Sequence, residues 1–144
     1  MILLDTTILV YAVGADHPLR EPCRRIVTAI GDGRLAATTT VEVLQEFAHV
    51  RARRRGRADA RATASSFAAL LGPLVRPDAD DLEQGLRLFV EQESIGAFDA
   101  VLAAIVQRRD HLTGLLSANV GFATISGFPA SNPSNADALD TLLG

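Results

Sequence analysis

Residues 1–4 are apolar without interruption and run into Asp5, the pattern of a short buried strand closed by an acid. Residues 7–13 stay apolar and predict a turn or short helix, until His17-Pro18 breaks the chain. Cys23, Ile26, Val27 and Ile30 then fall at i, i+3, i+4 and i+7, the stripe of an amphipathic helix that Gly31-Asp32-Gly33 ends. Leu35 to Thr40 is β-prone and predicts a second strand. A helix from Val41 follows, with Val41, Leu44 and Ala48 inward and Phe47 beside them, and it runs into an arginine-rich stretch. The next helix covers 58–71 and stops at Gly72-Pro73, with Leu74-Val75 as a short strand. Asp80 or Asp81 caps a helix over 82–92 whose apolar positions, Leu82, Leu86, Phe89 and Val90, predict its buried side. After Gly96 comes a helix carrying Val101, Leu102, Ile105 and Val106, then a buried strand at Leu115-Leu116-Ser117 and a last one at Thr124-Ile125. Residues 129–135 read as loop and 136–143 as a short terminal helix.

Strands alternating with helices predict an α/β domain with a mainly parallel sheet covered on both faces, whose strand C-termini share one edge. The 144 residues suit one domain, and the 48% hydrophobic content argues against disorder outside the tail. A net charge of −3 argues against a globally basic nucleic-acid binder and leaves room for a local basic patch. The one cysteine, Cys23, falls on the apolar stripe of a helix and is read as a core residue of an intracellular, cytoplasmic protein. No stretch approaches a membrane span, and the opening apolar run lacks the basic flank of a signal peptide.

The chemistry lies in acids that this topology brings toward one edge. Asp5 ends the first strand, Glu46 stands about one turn into the helix after the second, and Asp99 opens a later helix. Ser117 and Asn119 follow the strand near 115. Carboxylates gathered together repel unless a cation or raised pKa values relieve them. With oxygen donors alone, the expected ion is Mg²⁺ or Mn²⁺, which activates a water for phosphodiester hydrolysis. Helical spacing puts Glu42 and Glu46 on one face and does not decide between them. Asp78, Asp80 and Asp81 read as a helix N-terminal cluster.

Four segments in order resemble the PIN domain, and more closely the VapC-type toxin ribonucleases of type II toxin–antitoxin systems. They are Leu3-Leu4-Asp5-Thr6-Thr7, Thr39-Thr40-Val41-Glu42-Val43-Leu44-Gln45-Glu46, Gly96-Ala97-Phe98-Asp99-Ala100 and Leu115-Leu116-Ser117-Ala118-Asn119. The resemblance spans roughly residues 1–128 as the PIN domain, with 129–144 as a loop and short helix packed on it. It implies a three-layer α/β/α sandwich and a Mg²⁺-dependent endoribonuclease, with Mn²⁺ as substitute. It also implies a homodimer, an RNA substrate and a cognate VapB-type antitoxin. On this likeness Asp5, Glu46 and Asp99 are the metal ligands, Asn119 is a fourth catalytic contributor, and Thr6, Glu42 and Ser117 support them. Asn119 is the departure, because the family usually carries an Asp there. An amide brings no charge, so the rival reading is a catalytically weakened module that binds RNA or antitoxin. Arg51, Arg53, Arg54, Arg55 and Arg57 divide between gripping RNA phosphates, contacting antitoxin, and forming a solvated helix end. A dehalogenase-type phosphatase is disfavoured, since Thr7 stands where its second Asp belongs and the chain has no Lys.

Overall fold

The computed structural model describes residues 1–144. Its centre is a four-stranded sheet in the order β2-β1-β3-β4, formed by β1 (Ile2–Leu4), β2 (Ala37–Thr38), β3 (Gly114–Leu116) and β4 (Ala130–Ser131). All neighbouring pairs are parallel, with Leu3 opposite Thr38 on one side and Leu115 on the other. Helices α1 (Thr6–Ala12), α2 (Arg20–Gly31), α3 (Val41–Arg55), α4 (Arg57–Leu71), α5 (Ala79–Glu91), α6 (Ala97–Arg108) and α7 (Ala136–Leu143) flank it. This is the expected mixed α/β sandwich. Leu3, Leu4, Leu115 and Leu116 are buried to the last few per cent, as strands covered on both faces require. No helix is long and apolar enough to cross a membrane.

The threonines at the end of β2 and just beyond it lock the sheet to its surroundings. Thr39 Oγ1 donates to the Leu4 carbonyl at 2.8 Å, Thr38 Oγ1 donates to the Leu71 carbonyl at 3.0 Å, and Thr40 Oγ1 caps α3 by accepting from the Val43 N–H. β2 is therefore shorter than the β-prone run, because Thr40 caps α3 instead of extending the strand. Val41, expected inward, is 49% exposed, and the buried face of α3 is Val43, Leu44 and Phe47. At 74–75 there is a single bridge, Thr40 to Val75, instead of a strand. Pro73 and Pro77 flank it and have no N–H with which to extend a ladder.

α5 corrects the expected buried stripe. Leu82, Leu86, Phe89 and Val90 all face solvent, and the face against α6 is Asp81, Gly85 and Leu88. Two features invert it. A Cβ on Gly85 would lie 2.7 Å from Val101 Cα, so only glycine allows the two helices to approach this closely. Asp81 is fully buried and paired with both Arg108 and Arg109, while Asp78, not Asp80 or Asp81, is the cap, in a reciprocal capping box with Asp81. Burial pushes the Asp81 carboxyl up, but hydrogen bonds from Arg109, the Asp78 backbone and Arg108 outweigh it and hold the group below the usual range.

The last strand is also not where the pattern put it. Val120–Thr124 is a 3₁₀ turn, and the fourth strand lies in the tail. The Ser117 N–H reaches the Ser131 carbonyl at 3.1 Å, and Asn132 Nδ2 donates to the Ala118 carbonyl at 3.1 Å. The tail thus adds a strand beside the segment that carries Ser117 and Asn119. α7 packs on α2, with Arg25 and Asp140 paired at 2.7 Å.

Candidate functional site

Asp5, Glu46, Asp99 and Asn119 line one groove of about 380 Å³ at the carboxyl edge of the sheet, together with Thr6, Thr7, Val10, Tyr11 and Val50. Parallel β1 and β3 end side by side, so Asp5 and Ser117 arrive at the same level, and the Asp5 N–H continues the ladder to the Leu116 carbonyl. Asp5 is 3% exposed. Its Oδ1 accepts from the Thr6 N–H at 2.7 Å, and its Oδ2 accepts from Ser117 Oγ at 2.6 Å and Thr7 Oγ1 at 3.0 Å. Ser117 Oγ in turn accepts from the Asn119 N–H, and Thr7 Oγ1 from the Ala118 N–H. Three donors on one buried carboxylate satisfy it from within the protein.

Glu46 projects from α3, and its Oε2 accepts from Thr6 Oγ1 at 2.9 Å. Glu42, one turn earlier, lines a separate apolar groove with Leu82 and Phe98. Asp99 lies in the first turn of α6, half-buried, and its Oδ2 accepts from Asn119 Nδ2 at 2.6 Å. Burial first, then the negative charge of Asp5, push Asp99 up to about 6; the Asn119 hydrogen bond opposes that rise and Glu46 adds to it.

Asn119 is spent at both ends. Its Nδ2 is held by Asp99, and its Oδ1 accepts from the Gly121 N–H at 2.9 Å, capping the 3₁₀ turn. Gly121 passes so close to the Ser94 carbonyl that a Cβ would collide with it. The amide oxygen that a cation would need is therefore turned onto the backbone.

This arrangement corrects the expected chemistry. No group of three or more His, Cys, Asp or Glu is gathered so that it could hold a metal ion. Asp5 already accepts three hydroxyl and backbone donors, Glu46 accepts from Thr6, and the fourth position supplies a neutral amide whose oxygen accepts from the Gly121 N–H. The residues present do not fit a Mg²⁺ or Mn²⁺ site. The expectation of a metal-dependent endoribonuclease, an enzyme hydrolysing phosphodiesters with metal-activated water, is overturned on that ground.

Of the arginine run, Arg51 is structural: it pairs with Asp59 and donates from Nη1 to the Val13 carbonyl at 2.8 Å. Arg54 and Arg55 line a second groove with Arg20 and Arg24, whereas Arg53 and Arg57 are exposed outside it. Sequence reasoning missed Thr7, Gly121 and the two α2 arginines. Thr7 carried a signal, being a hydroxyl two residues after a buried acid.

The sequence matches the PIN domain over residues 2–125. It is 47% identical to Ribonuclease VapC7 of Mycobacterium tuberculosis, over all of this chain and 99% of that protein. It is 31% identical to VapC ribonuclease Mb1869c of Mycobacterium bovis, over 88% of this chain and 96% of that one. Among solved structures, Mycobacterium tuberculosis VapC20, described as a sarcin–ricin loop cleaving toxin, superposes with a TM-score of 0.65 over 80% of this chain and 87% of its own, at 19% identity, a likeness of fold. The chain belongs to the PIN-domain family, with strong homology to the VapC-family ribonuclease toxins of type II toxin–antitoxin systems.

Proposed function

We propose that this protein is a catalytically weakened PIN module that binds RNA, with a cognate VapB-type antitoxin as its protein partner, and does not cut the RNA by metal-activated water. The single observation behind this reading is Asn119, whose amide is committed to Asp99 and Gly121 where the family likeness expects a carboxylate. In this reading Asp5, Thr6, Glu46, Asp99, Ser117 and Asn119 form a hydrogen-bonded groove wall, not a reacting centre. RNA is the ligand class that relatives named as ribonucleases suggest. The exposed apolar row Leu82, Leu86, Phe89 and Val90 on α5 supports self-association into a homodimer. The setting consistent with these partners is the cytoplasm. The test is fluorescence anisotropy of labelled RNA in EDTA and again in Mg²⁺. Binding in EDTA that Mg²⁺ does not strengthen supports the reading. Binding that appears only with the metal, or loss of the intact RNA, overturns it.

A further inference from the structure

Beside the acidic groove runs a second one, of about 820 Å³, between the C-terminal ends of α1 and α3 and the start of α2. Its lining holds Arg20, Arg24, Arg51, Arg54 and Arg55 and no acid, in a chain whose net charge is −3. Arg51 is bound to Asp59 and to the Val13 carbonyl, and so serves as the buttress that shapes the trough. Arg24 donates from Nε to the Ala12 carbonyl at 3.2 Å, which leaves its terminal nitrogens free of any ion pair. Arg54 and Arg55 are exposed and also have no carboxylate partner. The Nε of Arg20 is buried and has no acceptor within the protein. An unpaired buried donor is costly, and a cluster of guanidinium groups is mutually repulsive, so the trough gains from an anion.

The two grooves are neighbours. Val10 and Val50 border the acidic one, and a small hollow lined by Val10, Val13, Gly14, Val50 and Arg54 leads from there to the arginines. Along α3, Glu46 and Arg54 are eight residues apart, about 12 Å at the helical rise. Without a cation, the acidic end repels phosphates, so attraction for a nucleic-acid backbone has to come from the arginine end. Guanidinium groups match phosphate oxygens in pairs. The apolar part of this lining is only Ala12, Val13 and Ala15, with no large side chain to anchor a peptide.

We propose that Arg20, Arg24, Arg54 and Arg55 form a trough that holds consecutive phosphates of an RNA strand, leading it past the acidic groove. This deepens the RNA-binding reading above and rests on it. The test is anisotropy of a short fluorescein-labelled single-stranded RNA over a salt series, for wild type, Arg54→Gln/Arg55→Gln and Arg87→Gln. Arg87 lies on α5 in an exposed pair with Glu83 and serves as the control. Two lost phosphate contacts lower the slope of log K against log salt by about 1.4, at about 0.7 per contact for single strands, and weaken low-salt binding roughly tenfold. Arg20→Gln added to the pair lowers the slope by about a further 0.7. The double variant alters only exposed side chains, so its melting temperature stays at the wild-type value. Wild-type binding with an unchanged slope in the double variant overturns the trough while leaving RNA binding intact. No RNA binding by the wild type overturns both. Displacement of RNA by polyglutamate of equal charge at lower concentration assigns the trough to an acidic protein segment and overturns the proposal.

Discussion

Asp99→Asn removes the carboxylate that the groove destabilises most. The group is pushed from 3.8 up to about 6 by burial, with Asp5 and Glu46 adding repulsion. A rise of about two units corresponds to about 3 kcal/mol, and solvent at the groove mouth screens this to about 1–2 kcal/mol. Asparagine keeps an oxygen in place to accept from Asn119 Nδ2, so the geometry survives and only the charge is lost. The sign follows from proton binding. Below about pH 4 Asp99 is protonated in both the folded and unfolded chain, and the variant gains nothing. Between about pH 4 and 6 the unfolded chain ionises while the folded protein keeps its proton, so the wild type loses stability relative to the variant. Above about pH 6 the full difference is present. Urea unfolding of both proteins in EDTA, from pH 4 to 8, measures it. Titrating groups remote from Asp99, Asp81 included, cancel in the comparison because both proteins share them. The expected result is a gain of about 1–2 kcal/mol at pH 8 that fades toward pH 4. A gain that does not change with pH, or a loss at pH 8, would show that the Asp99 charge does not destabilise the fold.

Asn119→Asp replaces the donor 2.6 Å from Asp99 with a second negative charge and is expected to cost about 1–3 kcal/mol at neutral pH, less at pH 5, by the same urea assay. Asp81→Ala strips the fully buried partner from Arg108 and Arg109 and is expected to cost about 3–5 kcal/mol, read as a lower denaturation midpoint. Because the Asp81 carboxyl is held low, its stabilising effect is present at neutral pH and declines as acid reaches it, so wild type and Asp81→Ala converge in strong acid. Gly85→Ala drives a methyl into Val101 and is expected to cost about 1–3 kcal/mol with no effect on RNA binding, checked by unfolding and anisotropy together.

Much of the fold was readable because its signals are local. The run to Asp5, the stripe through Cys23 and Ile30, and the apolar face of α6 all respond to one rule each, the period of the element. α5 defied that rule because its apolar stripe is the outer face, while a glycine and a buried ion triad fill the inner one. Nothing at positions 81 or 85 reveals this until Val101, Arg108 and Arg109 are beside them. The strand expected at Thr124-Ile125 failed because Asn119 caps a tight turn there, and the true fourth strand lies in a Pro- and Ser-rich tail that local propensity reads as loop. At the site, the order of acids along the chain predicted which side chains share a groove. It did not predict their bonding. Whether Asp5 faces a cation or three protein donors depends on Thr7 and Ser117, and whether Asn119 offers an oxygen depends on the backbone path at Gly121.

The protein is proposed to bind RNA without cutting it. The direct measurement is incubation of the purified, antitoxin-free protein with labelled single-stranded and structured RNA across a Mg²⁺ and Mn²⁺ titration, with Asp5→Asn beside it, resolved on a denaturing gel. RNA bound by the protein is expected to stay full length at every metal concentration, in wild type and Asp5→Asn alike. Metal-dependent fragments that appear with wild type and vanish with Asp5→Asn would contradict it.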